Sequence, residues 1–400
     1  MSIKQILSPE IQKIIQEHCT EDIRSLALKL GKSKHFPVNE IIEQVSGRQK
    51  AEKKLPQWFN TLGIIFPPGI SMEQCSSEKT ARYKSGLVSG EKLIDLTSGF
   101  GVDATFFSKT FKEVEIIEPQ EKLLETVQHN LKQFGIKNVK LHCTTAVNFL
   151  EKLNEKADCI YLDPSRRNEN KQKTFLLKDG EPNVLEMLPS LLEKADKILI
   201  KTAPMLDIDM AVTQLKFVEK VIVIAVNNEC KEVLYFLKRD FKQETSFEAV
   251  NLLNNDSEQR FKFYRSQERA LIPEFSLPLN YLYEPNAAIL KAGAFKSIAV
   301  KSQIYKLHTN SHLYTSDKLI NNFPGRVFKI KAICKYDKKE ILKHLPDLKA
   351  NIAVRNFKDP VNAIIKKTGI NEGGDFYVFA TTDLTGKPII LITKKQSLRI

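Results

Sequence analysis

The chain has 400 residues, 42% of them apolar, and carries 61 basic against 48 acidic side chains, a net charge of +13. This length gives a prior of about two to four domains, and no apolar run approaches the ~18 residues of a membrane span. The opening Met1-Ser2-Ile3-Lys4-Gln5 lacks the apolar core of a signal peptide, and the six cysteines form no C-x-x-C pair. A disulfide framework, a zinc knuckle and a metal site are therefore not expected, and a reducing cytoplasm is the expected location. Most of the charge sits late: residues 301–400 hold 19 Lys/Arg and 8 Asp/Glu, a net +11. A local excess of this kind points to a polyanion such as RNA, DNA or a membrane surface, with a solvated lysine-rich face as the plain alternative.

In chain order, Ile11, Ile14, Ile15, Ile23, Leu26 and Leu28 fall near helical spacing, and Ser8-Pro9-Glu10 makes a helix start with proline at the first helical position. Phe36-Pro37-Val38-Asn39 interrupts this pattern. A second helix is expected from about Asn39 to Ser46, and Phe66-Pro67-Pro68-Gly69 marks a linker. From Lys92 to about Lys238 short apolar runs alternate with helical stretches. The expected strands are 93–96, 114–117, 139–143, 159–162, 198–200 and 221–226, with helices including 121–134 and 184–193. Such alternation predicts an α/β fold, a mostly parallel sheet covered by helices on both faces. Runs at 247–253 and 261–264, joined by Asn254-Asn255-Asp256, read as a hairpin at or just beyond the end of that sheet. Tyr281 to Phe295 reads as a loop and a short helix. Residues 325–400 mix strands (327–333, 350–354, 376–381, 388–392) with helices (338–345, 361–368), the pattern of a small α+β domain.

Residues 93–106 carry the most specific signal. An apolar run ends in Asp95, passes through Thr97 and a Gly99-Phe100-Gly101 turn, and opens a helix. The glycines let backbone approach a ligand, and the turn matches G-x-G-x-x-G/A through Ala104. Glu118 lies 17 residues beyond Gly101, near the acidic position that holds ribose hydroxyls. This pattern alone does not separate a dinucleotide from S-adenosylmethionine (AdoMet). Asp95 favours AdoMet, because an acid at the strand end attracts an ammonium and repels a pyrophosphate. A later strand ends in Asp163-Pro164-Ser165-Arg166-Arg167, for which a dehydrogenase has no use.

On these residues the chain resembles the class I AdoMet-dependent methyltransferases over about residues 75–240, which implies a Rossmann-like sheet. The resemblance implies that Asp95, Thr97, Gly99, Phe100 and Gly101 line the methionine and ribose part of the cofactor. It further implies that Glu118 takes the ribose hydroxyls, Pro119 packs near the adenine and Thr145-Ala146 meets the adenine edge, although many relatives have an acid at Thr145. Thr80 and Tyr83, in the segment before the first strand, are further cofactor candidates. Asp163-Pro164-Ser165-Arg166 is similar to the Asp-Pro-Pro-aromatic signature of methyltransferases acting on exocyclic amines of bases. There the acid and a backbone carbonyl orient the amine, and proline fixes the carbonyls. Arg166 stands where an aromatic ring would stack on a flipped base; a guanidinium stacks or binds phosphate. Uracil-C5 methyltransferases carry a related Asp-Pro-Pro-Arg and need a nucleophilic cysteine. Cys230 is the one candidate, and it also reads as a packing residue in the first turn of a helix. Lys201-Thr202-Ala203-Pro204 is expected to face the same cleft.

Over nearly its whole length the chain resembles a bacterial group of methyltransferases with a small ferredoxin-like insert and a C-terminal THUMP-like domain. The matching stretches are 76–81, 95–103, 163–167, 283–295 and 373–377. This implies an N-terminal helical region (1–74), a methyltransferase domain (75–245), a ferredoxin-like domain (246–315) and a basic THUMP-like α+β domain (316–400), whose deletion would separate delivery of RNA from catalysis. It also implies transfer to a base in tRNA or rRNA. The alternatives are an RNA-binding protein with a non-catalytic methyltransferase fold, a methyltransferase for a protein or small molecule, and a nicotinamide-dependent oxidoreductase. The RNA, the nucleotide, the atom and the oligomeric state are not legible.

Overall fold

The computed structural model describes residues 3–31, 37–166 and 176–396, with the Arg166 side chain outside the description. Two units emerge: residues 1–219 with 234–242, and residues 220–233 with 243–400.

The first unit opens with helices Pro9–Glu17, Ile23–Leu30 and Val38–Lys54. Asp22 caps the second of these, its side chain accepting the Ser25 N–H at 3.0 Å. The three close on one another through Ile11, Ile15, Leu26, Ile41 and Val45. The third helix runs past the expected end at Ser46 to Lys54. Gly47 permits this, because any Cβ there would lie 2.4 Å from the Phe66 Cβ. Buried Gln44 then clamps the Phe66 backbone, donating to its carbonyl at 2.8 Å and accepting its N–H at 2.9 Å. The glycine is a close approach of two segments rather than a stop.

Five parallel strands form the sheet of this unit: β1 (Gly90–Asp95), β2 (Phe111–Ile117), β3 (Val139–His142), β4 (Ala157–Leu162) and β7 (Ala195–Thr202). Their order is β7-β4-β1-β2-β3, parallel throughout. Helices Val102–Phe107, Glu121–Gln133, Ala146–Lys152 and Val184–Lys194 form the crossovers. β1, β4 and β7 end in continuous buried runs because both faces are covered there, whereas β3, at the end of the order, is only half-buried. Trp58, from the N-terminal segment, packs into the same core, with ring centroids 6.3 Å from Phe100, 6.2 Å from Phe106 and 4.8 Å from Phe134. Two short strands, β5 (Ser165–Arg166) and β6 (Gly180–Glu181), pair antiparallel after β4. Because β1 has β2 on one side and β4 on the other, chain order reverses at β1. The carboxyl ends of β1 and β4 therefore open the crevice where ligands bind in such sheets.

In the second unit, β8 (Val218–Val226, which enters it at Lys220) runs parallel to β10 (Ser246–Leu252), and β10 pairs antiparallel with β11 (Glu258–Tyr264). This is the expected hairpin, with Leu253 donating to the Ser257 carbonyl at 2.9 Å. β9 (Glu229–Lys238) contributes to both units, which part at Leu234. Cys230 thus lies in a strand, which corrects the helical expectation: Val233 to Leu237 are all buried, as in a strand covered on both faces.

A seven-stranded sheet completes the second unit. Its strands are β12 (Tyr281–Pro285), β13 (Tyr305–Lys306), β14 (Tyr314–Ser316), β15 (Gly325–Cys334), β16 (Asn351–Arg355), β17 (Phe376–Thr382) and β18 (Pro388–Lys395). The order is β13-β14-β12-β15-β18-β17-β16. The expected loop at Tyr281 is strand β12, bonded on one side to β14 and on the other to β15. Buried Glu284 locks this region: its carboxylate accepts from Arg326 Nε at 2.8 Å on β15 and from Arg355 Nη2 at 2.6 Å on β16. Helices Lys338–Leu342 and Val361–Thr368 cover one face through Ile341, Ile364, Val378 and Ile392.

Among the described residues no helix is long and apolar enough to cross a membrane. None of their His, Cys, Asp and Glu side chains form a group of three or more able to hold a metal ion.

Candidate active site at the strand ends

Asp95 ends β1 and is buried. Its Oδ1 accepts the Thr97 N–H at 3.0 Å, and its Oδ2 has no hydrogen-bond partner among the described residues. Burial pushes this carboxyl well above the usual carboxylate range; the Thr97 N–H opposes the rise, and the charges of Asp103 and Asp163 add to it. Such a group favours an incoming cation. The turn that follows needs its glycines. Gly99 and Gly101 have φ of +51° and +73°, the left-handed region that side chains disfavour. A Cβ on Gly101 would strike Val127 at 2.7 Å, whereas one on Gly99 would enter open space. The Ser98 hydroxyl beside it is buried and also without a partner among the described residues.

Asp163 follows β4. Its N–H donates to Thr97 Oγ1 at 2.6 Å, which ties the end of β4 to that of β1. The carboxylate Oδ2 forms an ion pair with Lys201 on β7, and the Asp163 side chain is 31% exposed. Pro164 lies over Gly180, and Ser165 is exposed, its hydroxyl directed at the Glu181 carbonyl at 3.4 Å. Arg166 pairs its backbone with Gly180; Arg167 and the Arg166 side chain lie outside the described residues.

Glu118 follows β2 and is buried. Its Oε1 accepts the Gln120 N–H at 2.9 Å, and its own N–H donates to the His142 carbonyl at 3.2 Å. Pro119 comes next, its carbonyl 3.8 Å from Cys143 Sγ. Thr145 caps the helix starting at Ala146, accepting the Asn148 N–H at 3.2 Å. The carboxyl ends of β1, β2 and β4 thus carry Asp95, Thr97, Gly99, Gly101, Glu118 and Asp163, with Pro119, Thr145 and Ala146 in the loops beside them. Two expected residues stand differently. The Phe100 ring turns into the Trp58 cluster, and the Thr80 hydroxyl donates to the Ser77 carbonyl at 3.2 Å at the start of helix Glu78–Ser85. Cys230 carries a thiol that burial pushes up to about 11, so little thiolate is present near neutral pH and a nucleophilic role is disfavoured.

A second layer of charge lies behind Asp163. Lys84, wholly buried, pairs with Asp103 Oδ1 at 3.1 Å and donates to Ser76 Oγ at 2.8 Å. Asp103 Oδ2 accepts from Ser76 Oγ and from the Tyr161 hydroxyl, both at 2.8 Å. Burial raises the Asp103 carboxyl, yet Lys84 and Lys201, helped by Tyr161 and Ser76, hold it below the usual range. Lys201 also reaches Ser76 Oγ at 3.4 Å. The sequence does not single out Ser76, Lys84, Asp103 or Tyr161 as site residues. Asp103 lies within the glycine motif, but a lysine in an otherwise polar helix gives no sequence signal of burial.

A reversed-order parallel sheet, a left-handed glycine turn after β1 and acids closing β1, β2 and β4 define a methyltransferase-type nucleotide fold. Residues 90–242 match the family described as RNA cap guanine-N2 methyltransferase, residues 281–324 a ferredoxin-like domain and residues 325–395 a THUMP domain-like family. The chain therefore carries a methyltransferase domain followed by ferredoxin-like and THUMP-like domains. Among solved structures it is similar to a candidate methyltransferase from Porphyromonas gingivalis W83, at 28% identity and a TM-score of 0.87, covering 99% of this chain and 100% of that one. An rRNA methylase from Streptococcus thermophilus aligns at 17% identity and a TM-score of 0.30, covering 40% of this chain and 93% of that one. No curated protein matches the chain.

Proposed function

We propose that the protein transfers the methyl group of AdoMet to a base in RNA, with tRNA or rRNA as the substrate class. The carrying observation is Asp163. Its backbone is held by Thr97 and one carboxylate oxygen by Lys201, so that the other oxygen is left to accept a substrate N–H. Two observations fit the cofactor: the buried, partnerless Asp95 Oδ2, which would take an ammonium, and the open space beside Gly99. When bound, AdoMet supplies an electrophilic methyl group. Glu118 would hold the ribose hydroxyls, while Pro119, Thr145 and Ala146 would flank the adenine. Phe100 would contribute only backbone to the turn. Asp163 Oδ1 would accept an N–H of an exocyclic amine and turn its lone pair outward. Pro164, lacking an N–H, keeps the local carbonyls unengaged by its own amide. Catalysis on this reading is mostly positioning. The guanine-N2 description of the matched family supports an exocyclic amine as acceptor, and the THUMP-like match with the basic last quarter supports RNA.

The test is tritium transfer from labelled AdoMet to total RNA from a strain lacking the gene, with wild type and Asp163→Ala side by side. Label with wild type alone supports the reading, and nucleoside digestion then names the base. Calorimetric AdoMet binding without labelled RNA moves the acceptor to proteins or small molecules, and binding of NAD in place of AdoMet rejects methyl transfer.

A further inference from the structure

The methyl-transfer reading gives no role to the buried charge behind Asp163. Two ammonium groups, those of Lys84 and Lys201, face the carboxylates of Asp103 and Asp163, with Ser76 Oγ between them. Lys84 has no exposure and Lys201 has 7%. Taking such ions out of water is costly, and the cost is offset only where geometry and extra hydrogen bonds are good. Here Ser76 accepts from both lysines while donating to Asp103, and Tyr161 donates to the same Asp103 oxygen, whereas Asp103 Oδ1 meets Lys84 as an ion pair without a hydrogen bond. The network joins four segments, namely the helix before β1, the helix after the glycine turn, β4 and β7. From this network Lys201 reaches Asp163.

We infer that Lys201 is a positioning residue for Asp163: its ammonium fixes the carboxylate in the direction that presents Oδ1 to the acceptor, and Ser76, Lys84 and Asp103 fix Lys201 in turn. The role in turnover rests on the methyl-transfer reading, so the test includes an arm that needs no turnover. The charged and titratable groups around this cluster are Asp95 from β1, Asp103 and Lys84 from the flanking helices, Tyr161 from β4, and Lys54 and Cys75 from the N-terminal segment.

Protein labelled with 13C at aspartate carboxyls is observed by NMR at one fixed pH, the Asp163 resonance being the one missing in Asp163→Asn. Removing the neighbouring ammonium in Lys201→Met is expected to move that resonance. Ser76→Ala keeps both charges and is expected to move it the same way by less. In the transfer assay on total RNA, Lys201→Met is expected to lose about tenfold to a hundredfold in kcat, with AdoMet affinity by calorimetry retained and part of the loss restored by Lys201→Arg. An unchanged Asp163 resonance in both Lys201→Met and Ser76→Ala overturns the inference, as does a loss that falls wholly on AdoMet affinity. Wild type that methylates no acceptor rejects the methyl-transfer reading alone, and the resonance still decides whether Lys201 holds Asp163.

Discussion

At the scale of single residues the site divides by what each side chain lacks. Asp95 has a buried oxygen without a partner, and Gly99 has space where a side chain would be. Glu118 is already anchored through Gln120 and offers a fixed carboxylate. Replacing it by alanine is expected to weaken AdoMet by about 1–3 kcal/mol, the range for hydrogen bonds to a charged group, as read by calorimetry. Unchanged affinity would remove Glu118 from the site. The two glycines separate strain from contact. Gly101→Ala meets both a left-handed φ and Val127, so thermal stability is expected to fall. Gly99→Ala carries strain of about 1–2 kcal/mol but also projects a methyl group into the open space, so AdoMet affinity is expected to fall beyond what the stability loss explains. The motif residues were legible because they are contiguous and their chemistry is local. Lys84, Asp103 and Lys201 converge from positions up to 117 apart in the sequence, and lysine reads as surface until a fold encloses it.

At the scale of elements, the alternation of apolar runs and helices identified the parallel strands and the helices between them, with ends shifted by a few residues. β9 escaped, since its first residues, Glu229-Cys230-Lys231-Glu232, carry the charges of a helix start or a turn. β12 escaped because a five-residue strand depends on neighbours far along the chain. The second unit also contains a titratable packing pair. The His312 ring stacks on Phe295 with centroids 3.7 Å apart, and burial, with Lys306 and Arg355 nearby, pushes its pKa down to about 4. The unfolded chain takes up a proton below an ordinary histidine value of about 6.5, while the folded one stays neutral to about 4. Across that window the unfolded state binds more protons, so stability falls as pH falls. Denaturant unfolding followed from pH 7 to pH 4 is expected to show a smaller loss in His312→Phe than in wild type. Equal losses would show that this ring is not the cause.

At the scale of the whole molecule, the net charge of +13 is concentrated in the last hundred residues. Lys329 and Lys331 are exposed on β15, and Lys394 on β18 lies over the Phe376 ring at 4.4 Å. Phosphate contacts by such groups release counterions. Binding of total RNA is expected to weaken linearly on a log–log plot against salt, and Lys329→Ala with Lys331→Ala is expected to reduce that slope by about 1–2. An unchanged slope would show that these two lysines make no phosphate contacts.

The seven-stranded sheet settles how that question can be asked. β12 belongs to the ferredoxin-like match and β15 to the THUMP-like one, yet they share a ladder from Tyr281–Lys329 to Pro285–Gly325. The two matched regions are successive stretches of one hydrogen-bonded fabric. A chain ending before Gly325 would strip one side of β12 and expose a row of amides and carbonyls, an edge prone to pair with other chains. Silence from such a shortened protein would report aggregation, not the loss of an RNA-presenting module. Substitution of exposed lysines leaves the fabric whole, which makes these regions separable by charge and inseparable by scissors.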